Sequence, residues 1–164
     1  MKGPLFYAKI LLFGEYGIIK DSKGLSIPYN FFRGALKIPH SESEITKKSH
    51  SKLISFANYL SKIDTKIVSF DWMTIEKDLS QKLFFDSSIP QGYGVGSSGA
   101  LVAAFYDRYA ADKITVLENL TTEKLQKLKV VFSTMESFFH GKSSGLDPLN
   151  SYLSLPLLIH SSEK

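Results

Sequence analysis

The chain contains no cysteine, which excludes disulfides, thiolate nucleophiles and cysteine-held metals. It has no apolar run approaching the ~18 residues that a membrane span needs. Its first residues, "MKGPLFYAKILLFG", make a poor secretory leader, because Lys9 cuts the apolar stretch and Glu15 follows it. The expectation is a cytoplasmic protein with no membrane partner. Charge of one sign is scarce as well: 20 Lys and Arg stand against 16 Asp and Glu, leaving +4. That excess favours an anionic ligand, but the lysines are scattered. The densest runs are "KK" at 47–48 and "KLQKLK" at 124–129, the second reading as the solvated face of a helix. No nucleic-acid partner is expected. Internal repeats, low-complexity linkers and shifts of composition are absent too. What remains is 164 residues, 43% hydrophobic and 22% charged, enough for one folded domain with a real core.

Hydrophobic patterning suggests strands at 5–13, 24–30 and 31–38, the last two joined near Asn30, with Pro28 marking an edge or short strand. Further strands are expected at 65–70 and 83–88, and one over 152–160 broken by Pro156. Residues 72–82 are ambiguous. Helical spacing appears over 50–62, where Leu53, Ile54, Phe56, Ala57 and Leu60 share a face. It appears again from Ser97, where Ala100, Ala103 and Ala104 form a small-residue face. A third helix, about 121–139, carries the stripe Leu125, Leu128, Phe132, Met135 and Phe139, and Gly141 ends it. Strands dominate the first half and helices the second, which predicts an α+β fold rather than a βαβ alternation.

The most informative stretch is "PQGYGVGSSGA", residues 90–100. Gly92, Gly94 and Gly96 clear side chains from one short segment, so successive N–H groups can face one concavity. Ser97 and Ser98 then open a helix, whose first turn offers unpaired donors and a partial positive charge. That combination suits phosphates, and a serine hydroxyl there can also reach a bridging Mg²⁺. The plain alternative is a glycine-rich turn with Ser97 as an ordinary N-cap. Gly94, Gly96 and Gly99 also satisfy G-x-G-x-x-G, with Glu118 as a candidate ribose acid, but Pro90 and Gln91 separate the glycines from a strand. A Walker loop fails, since no lysine follows Gly96.

A second constellation is "ESFFHGKSSGLD" at 136–147. Glu136 borders the apolar stripe and lies near the negative end of its helix, so a compensating cation is expected: Lys142, His140 or a metal ion, with a simple salt bridge as the structural alternative. Asp147 reads either as an N-cap with Pro148 at the first helical position or as a general base or orienting carboxylate. Gly141, Ser143 and Gly145 spell G-x-S-x-G, but a helix rather than a strand precedes the serine, which argues against a hydrolase elbow.

Three segments together, "YAKILLFGEY" (7–16), "IPQGYGVGSSGAL" (89–101) and "HGKSSGLDP" (140–148), resemble motifs of the GHMP small-molecule kinases. The second is similar to that family's phosphate loop, P-x-G-x-G-L-G-S-S. Within the family, the segment around Asp147 looks most like mevalonate kinase. The resemblance implies a fold like domain 2 of ribosomal protein S5, with a mixed or antiparallel sheet packed on helices. It also implies ATP and Mg²⁺ as cofactors and phosphorylation of a small-molecule hydroxyl, that of mevalonate or, in other members, of a sugar, homoserine or phosphomevalonate. The roles implied are Asp147 and Lys9 at the reacting hydroxyl. Pro90, Gly92, Gly94, Gly96, Ser97 and Ser98 would lie around the phosphates, and Ser98 and Glu136 on the metal. The chain departs from the pattern at Tyr16, Val95, Gly99, Ser143 and Pro148. Family members also carry a C-terminal half with its own glycine-rich motif, and nothing after Asp147 resembles it. The expectation is therefore that residues 1–164 form the N-terminal ATP-binding domain, inactive alone, of a protein that could pair as a homodimer.

Overall fold

The computed structural model describes residues 4–14, 23–115 and 119–160. Tyr16 and Glu118, singled out in the sequence, lie outside them. The described residues form four strands and five helices: β1 (Phe6–Phe13), β2 (Lys23–Lys37), α1 (Glu44–Leu60), α2 (Trp72–Ser80), β3 (Phe84–Ser87), α3 (Ser97–Tyr109), α4 (Thr122–His140), α5 (Leu146–Leu153) and β4 (Leu157–His160). Every strand pairing is antiparallel, so the sheet is not mixed, and the fold is α+β.

β2 is the spine of the sheet. One edge pairs with β1; the other takes β4 along 23–26 and β3 along 34–37. The two strands expected at 24–30 and 31–38 are therefore one. Asn30 does not reverse the chain. Instead Ala8 pairs with Tyr29 and Tyr7 with Arg33, so residues 30–32 bulge out and the same two strands resume pairing. Pro28 sits in a central strand without cost to the ladder, because it falls in the gap between β4 and β3, where that edge has no partner. β1 is less buried than its apolar run implied: Leu12 and Phe13, at its end, are more than half exposed.

α3 lies at the centre, buried on nearly every side from Gly99 to Tyr106 and at Tyr109. Its alanines let α5 and the sheet come close, and Phe105 and Tyr106 meet Phe56, Phe132 and Tyr152 edge-on around it. Its C-terminal end is tied down by Asp78 of α2, which accepts from the Tyr109 hydroxyl at 2.8 Å and from Arg108 at 2.7 and 2.9 Å. α1 starts six residues before the helix expected from residue 50, at a reciprocal cap between Ser43 and Thr46; Ile54, grouped with its apolar stripe, is exposed. The ambiguous segment is α2, started by Asp71, whose carboxylate accepts from the Thr74 N–H. Residues 65–70 are not a strand; they turn and bridge to the end of α3 through Phe70 and Ala110. At the other end of the chain, Tyr152 and Leu153 complete α5, so only 157–160 extend as a strand after Pro156.

Candidate active site

The loop 90–96 ends at Gly96, which takes the left-handed region (φ 81°) and caps α3 without any side-chain hydrogen bond. Ser97 is thus the first helical residue rather than the N-cap, and the first-turn N–H groups stay available to a ligand. The loop is seated on β1: the Lys9 N–H donates to the Val95 carbonyl at 3.0 Å. The Lys9 stem lies so near that a Cβ on Gly96 would stand 3.0 Å from it.

α5 also begins at a left-handed glycine, Gly145 (φ 74°), so Asp147 is the second residue of the helix and not its cap. Lys9 Nζ is 3.0 Å from Asp147 Oδ1, with the lysine largely buried and the carboxylate about a third exposed. The pair is held against the start of α3 because Gly99 has no side chain. A Cβ there would lie 2.7 Å from the Asp147 carbonyl carbon and 2.8 Å from Pro148 N. At the position where the resembled motif has alanine, this chain uses the missing methyl to bring α5 against α3.

Glu136, in the last turns of α4, is buried. Ser98 Oγ donates to its Oε1 at 3.0 Å, and Ser143 Oγ donates to its Oε2. Ser143 is itself set by the Gly145 N–H at 3.0 Å. The salt bridge that stood as the structural alternative is not there: among the described residues no cation pairs directly with Glu136. His140 touches it only through Ser98, its Nε2 lying 2.9 Å from Ser98 Oγ. Burial pushes the Glu136 carboxyl above its ordinary range, and the Asp147 charge adds to this; hydrogen bonds from Ser143 and Ser98 and the nearby His140 oppose it.

The loop, Ser98 and Asp147 open on a cleft of about 440 Å³, with Lys9 and Glu136 behind its wall. Its walls carry Pro90, Gly92, Gly94, Gly96, Ser97 and Ser98 from the loop and helix, and Lys52, Phe139, His140 and Asp147 from the rest of the fold. A second cavity of about 290 Å³ adjoins it, sharing Lys52, Gln91, Ser97 and Ser98, with Ile45, Phe85, Ile89 and Leu101 among its apolar walls. The structure brings together the residues whose roles the resemblance implies: Lys9 and Asp147 as a pair, Ser98 beside Glu136, and the loop around the cleft, while Lys142 makes no ion pair with Glu136 and Glu118 lies outside the described residues. Sequence reasoning missed Lys52, Phe139 and the link from Ser143 to Glu136. Ser143 carried a signal, since a serine three residues past the end of a helix can reach back to it. Lys52 carried none.

The donor set also fits a hard cation. Ser98 and Glu136 offer only oxygen, and Glu136 is a buried carboxylate without an ion-pair partner among the described residues. Among the described residues no group of three or more His, Asp or Glu gathers as a self-sufficient metal cage. A hard cation such as Mg²⁺ can bind through one or two carboxylates, with water and substrate phosphates completing its shell.

An α+β domain whose central helix opens from a glycine loop, with a Lys–Asp pair at the loop's base, belongs to a narrow class. The sequence model of the GHMP kinases N terminal domain matches residues 55–154, and the chain belongs to that family. The kinases of this family are ATP-dependent phosphotransferases. The match takes in the loop, Ser98, Glu136 and Asp147, while β1 with Lys9 precedes it. No curated protein matches the chain. Among the described residues no helix is long and apolar enough to cross a membrane.

Proposed function

We propose that the cleft binds ATP and that the protein transfers its γ-phosphate to the hydroxyl of a small molecule, mevalonate being the acceptor the motifs favour. The observation that carries this reading is the Lys9–Asp147 pair, 3.0 Å apart, at the base of the glycine loop. Phosphoryl transfer needs in-line positioning and neutralisation of charge more than covalent help from the protein. The loop N–H groups and the start of α3 would hold the phosphate oxygens. The second cavity beside them, with Ile45, Phe85, Ile89 and Leu101 on its walls, would take the nucleoside. Asp147 would accept a hydrogen bond from the attacking hydroxyl and receive its proton, with Lys9 stabilising the oxygen as it gains charge. Ser98 and Glu136 would hold Mg²⁺, which would supply neutralisation of phosphate charge.

The acceptor is tested by following ADP release with mevalonate, phosphomevalonate, homoserine and sugars, each with ATP. Mevalonate-dependent release is the expected result. Release with only another acceptor replaces mevalonate and keeps the kinase. Asp147→Ala is expected to lower turnover by about 10²–10⁴-fold while leaving ATP binding intact; unchanged turnover would remove its role.

A further inference from the structure

Lys52 stands on α1, before the family-matched segment and outside every motif above. Its side chain lines both cavities. The ammonium lies 5.0 Å from the centroid of the Phe139 ring, a cation–π contact that keeps it at the cleft wall. Among the described residues no carboxylate forms an ion pair with it. Asp86, the carboxylate of the second cavity, is taken by Lys37. The protein packed around the Lys52 ammonium, and then the like charge of Lys48, hold it below the ordinary lysine range. A cation in such surroundings is stabilised by an anion that enters the cavity beside it.

Position says which anion. Lys52, Gln91, Ser97 and Ser98 are the residues common to both cavities, and Lys52 alone among them is charged. A nucleotide with its phosphates in the first cavity and its base in the second must cross this junction where the two parts join. We propose that Lys52 binds the α-phosphate of the nucleotide from the wall formed by α1 and the end of α4, with Phe139 as its rest. The proposal rests on the nucleotide reading of the cleft given above and adds a contact to it.

The test is equilibrium binding of adenosine, AMP, ADP and ATP to the native chain, Lys52→Met, Lys52→Arg and a surface control, Lys62→Met, with melting temperatures measured in parallel. Lys52→Met is expected to weaken ADP and ATP by the same factor, about 10–30-fold, the scale of one charge-assisted hydrogen bond. Lys52→Arg should stay within about threefold of the native chain, and Lys62→Met should match it. ADP binding unchanged in Lys52→Met overturns the proposal, and so does a loss confined to ATP, which would put the lysine on the γ-phosphate. An equal loss for adenosine also overturns it, since the residue would then only shape the pocket. If the native chain binds neither ADP nor ATP, the nucleotide reading itself falls and this contact with it. Native binding with an unaffected Lys52→Met removes the contact alone.

Discussion

The loop at 90–96 and the junction of α3 with α4 and α5 are both rich in glycine, yet a methyl added to each would meet different surroundings. At Gly92 and Gly94 a Cβ would find nothing within 4 Å. At Gly99 it would stand 2.7 Å from the backbone of Asp147, and at Gly145 it would stand 2.4 Å from the Lys129 carbonyl oxygen. The first two glycines serve a backbone shape and leave space for a ligand. The other two let helices touch, so that Asp147 and Ser143 arrive where Lys9 and Glu136 need them. One half of the site is built by leaving room and the other by removing it.

Substitutions can break this contrast in order of effect. Gly145→Ala joins a backbone clash to a left-handed φ and should be the most damaging, costing about 3 kcal/mol or more of folding stability; urea unfolding measures it. Gly99→Ala should cost about 1–3 kcal/mol as α5 is pushed from α3. It should reduce turnover more than ATP affinity, because the displaced group is Asp147 and not the loop. Equal losses of both would show that the junction also shapes the loop. Glu136→Gln probes the link between the two regions. The Glu136 pKa is raised by burial, so the cost of its charge is absent below the unfolded-state value and grows as pH rises through the folded-state value. In metal-free buffer the glutamine variant should melt higher than the native chain near about pH 8, and the gap should close toward about pH 4. Gly94→Ala, with open space but a φ of 68°, should show the smallest change, about 1 kcal/mol.

Much of the helical part was legible from local signals. The stripe Leu128, Phe132 and Met135 is buried as its spacing requires, and Gly141 ends α4 at a left-handed φ. The strand errors have one source. A bulge at 30–32 and a turn at Asn30 look alike in sequence, because what separates them is whether β1 continues on the far side. Residues 65–70 have strand composition, but their backbone partners are at the end of α3 rather than in the sheet. The site was legible where chemistry and local shape coincide, as in the loop and at Asp147. It was not legible at Lys52, whose meaning comes from a ring on α4 and two cavities it helps to line.

By itself the sequence determined the elements whose causes are local: helices with apolar periodicity, a glycine loop placed at a helix start, and a small set of charged residues in recognisable order. The tertiary structure decided what those residues do to one another. Glu136 is answered by two serine hydroxyls, and among the described residues no cation pairs directly with it. Lys9 meets Asp147 because β1 and α5 both press on the first turn of α3. Such distances depend on how closely elements far apart in the chain can approach, and that closeness is set by the volumes between them.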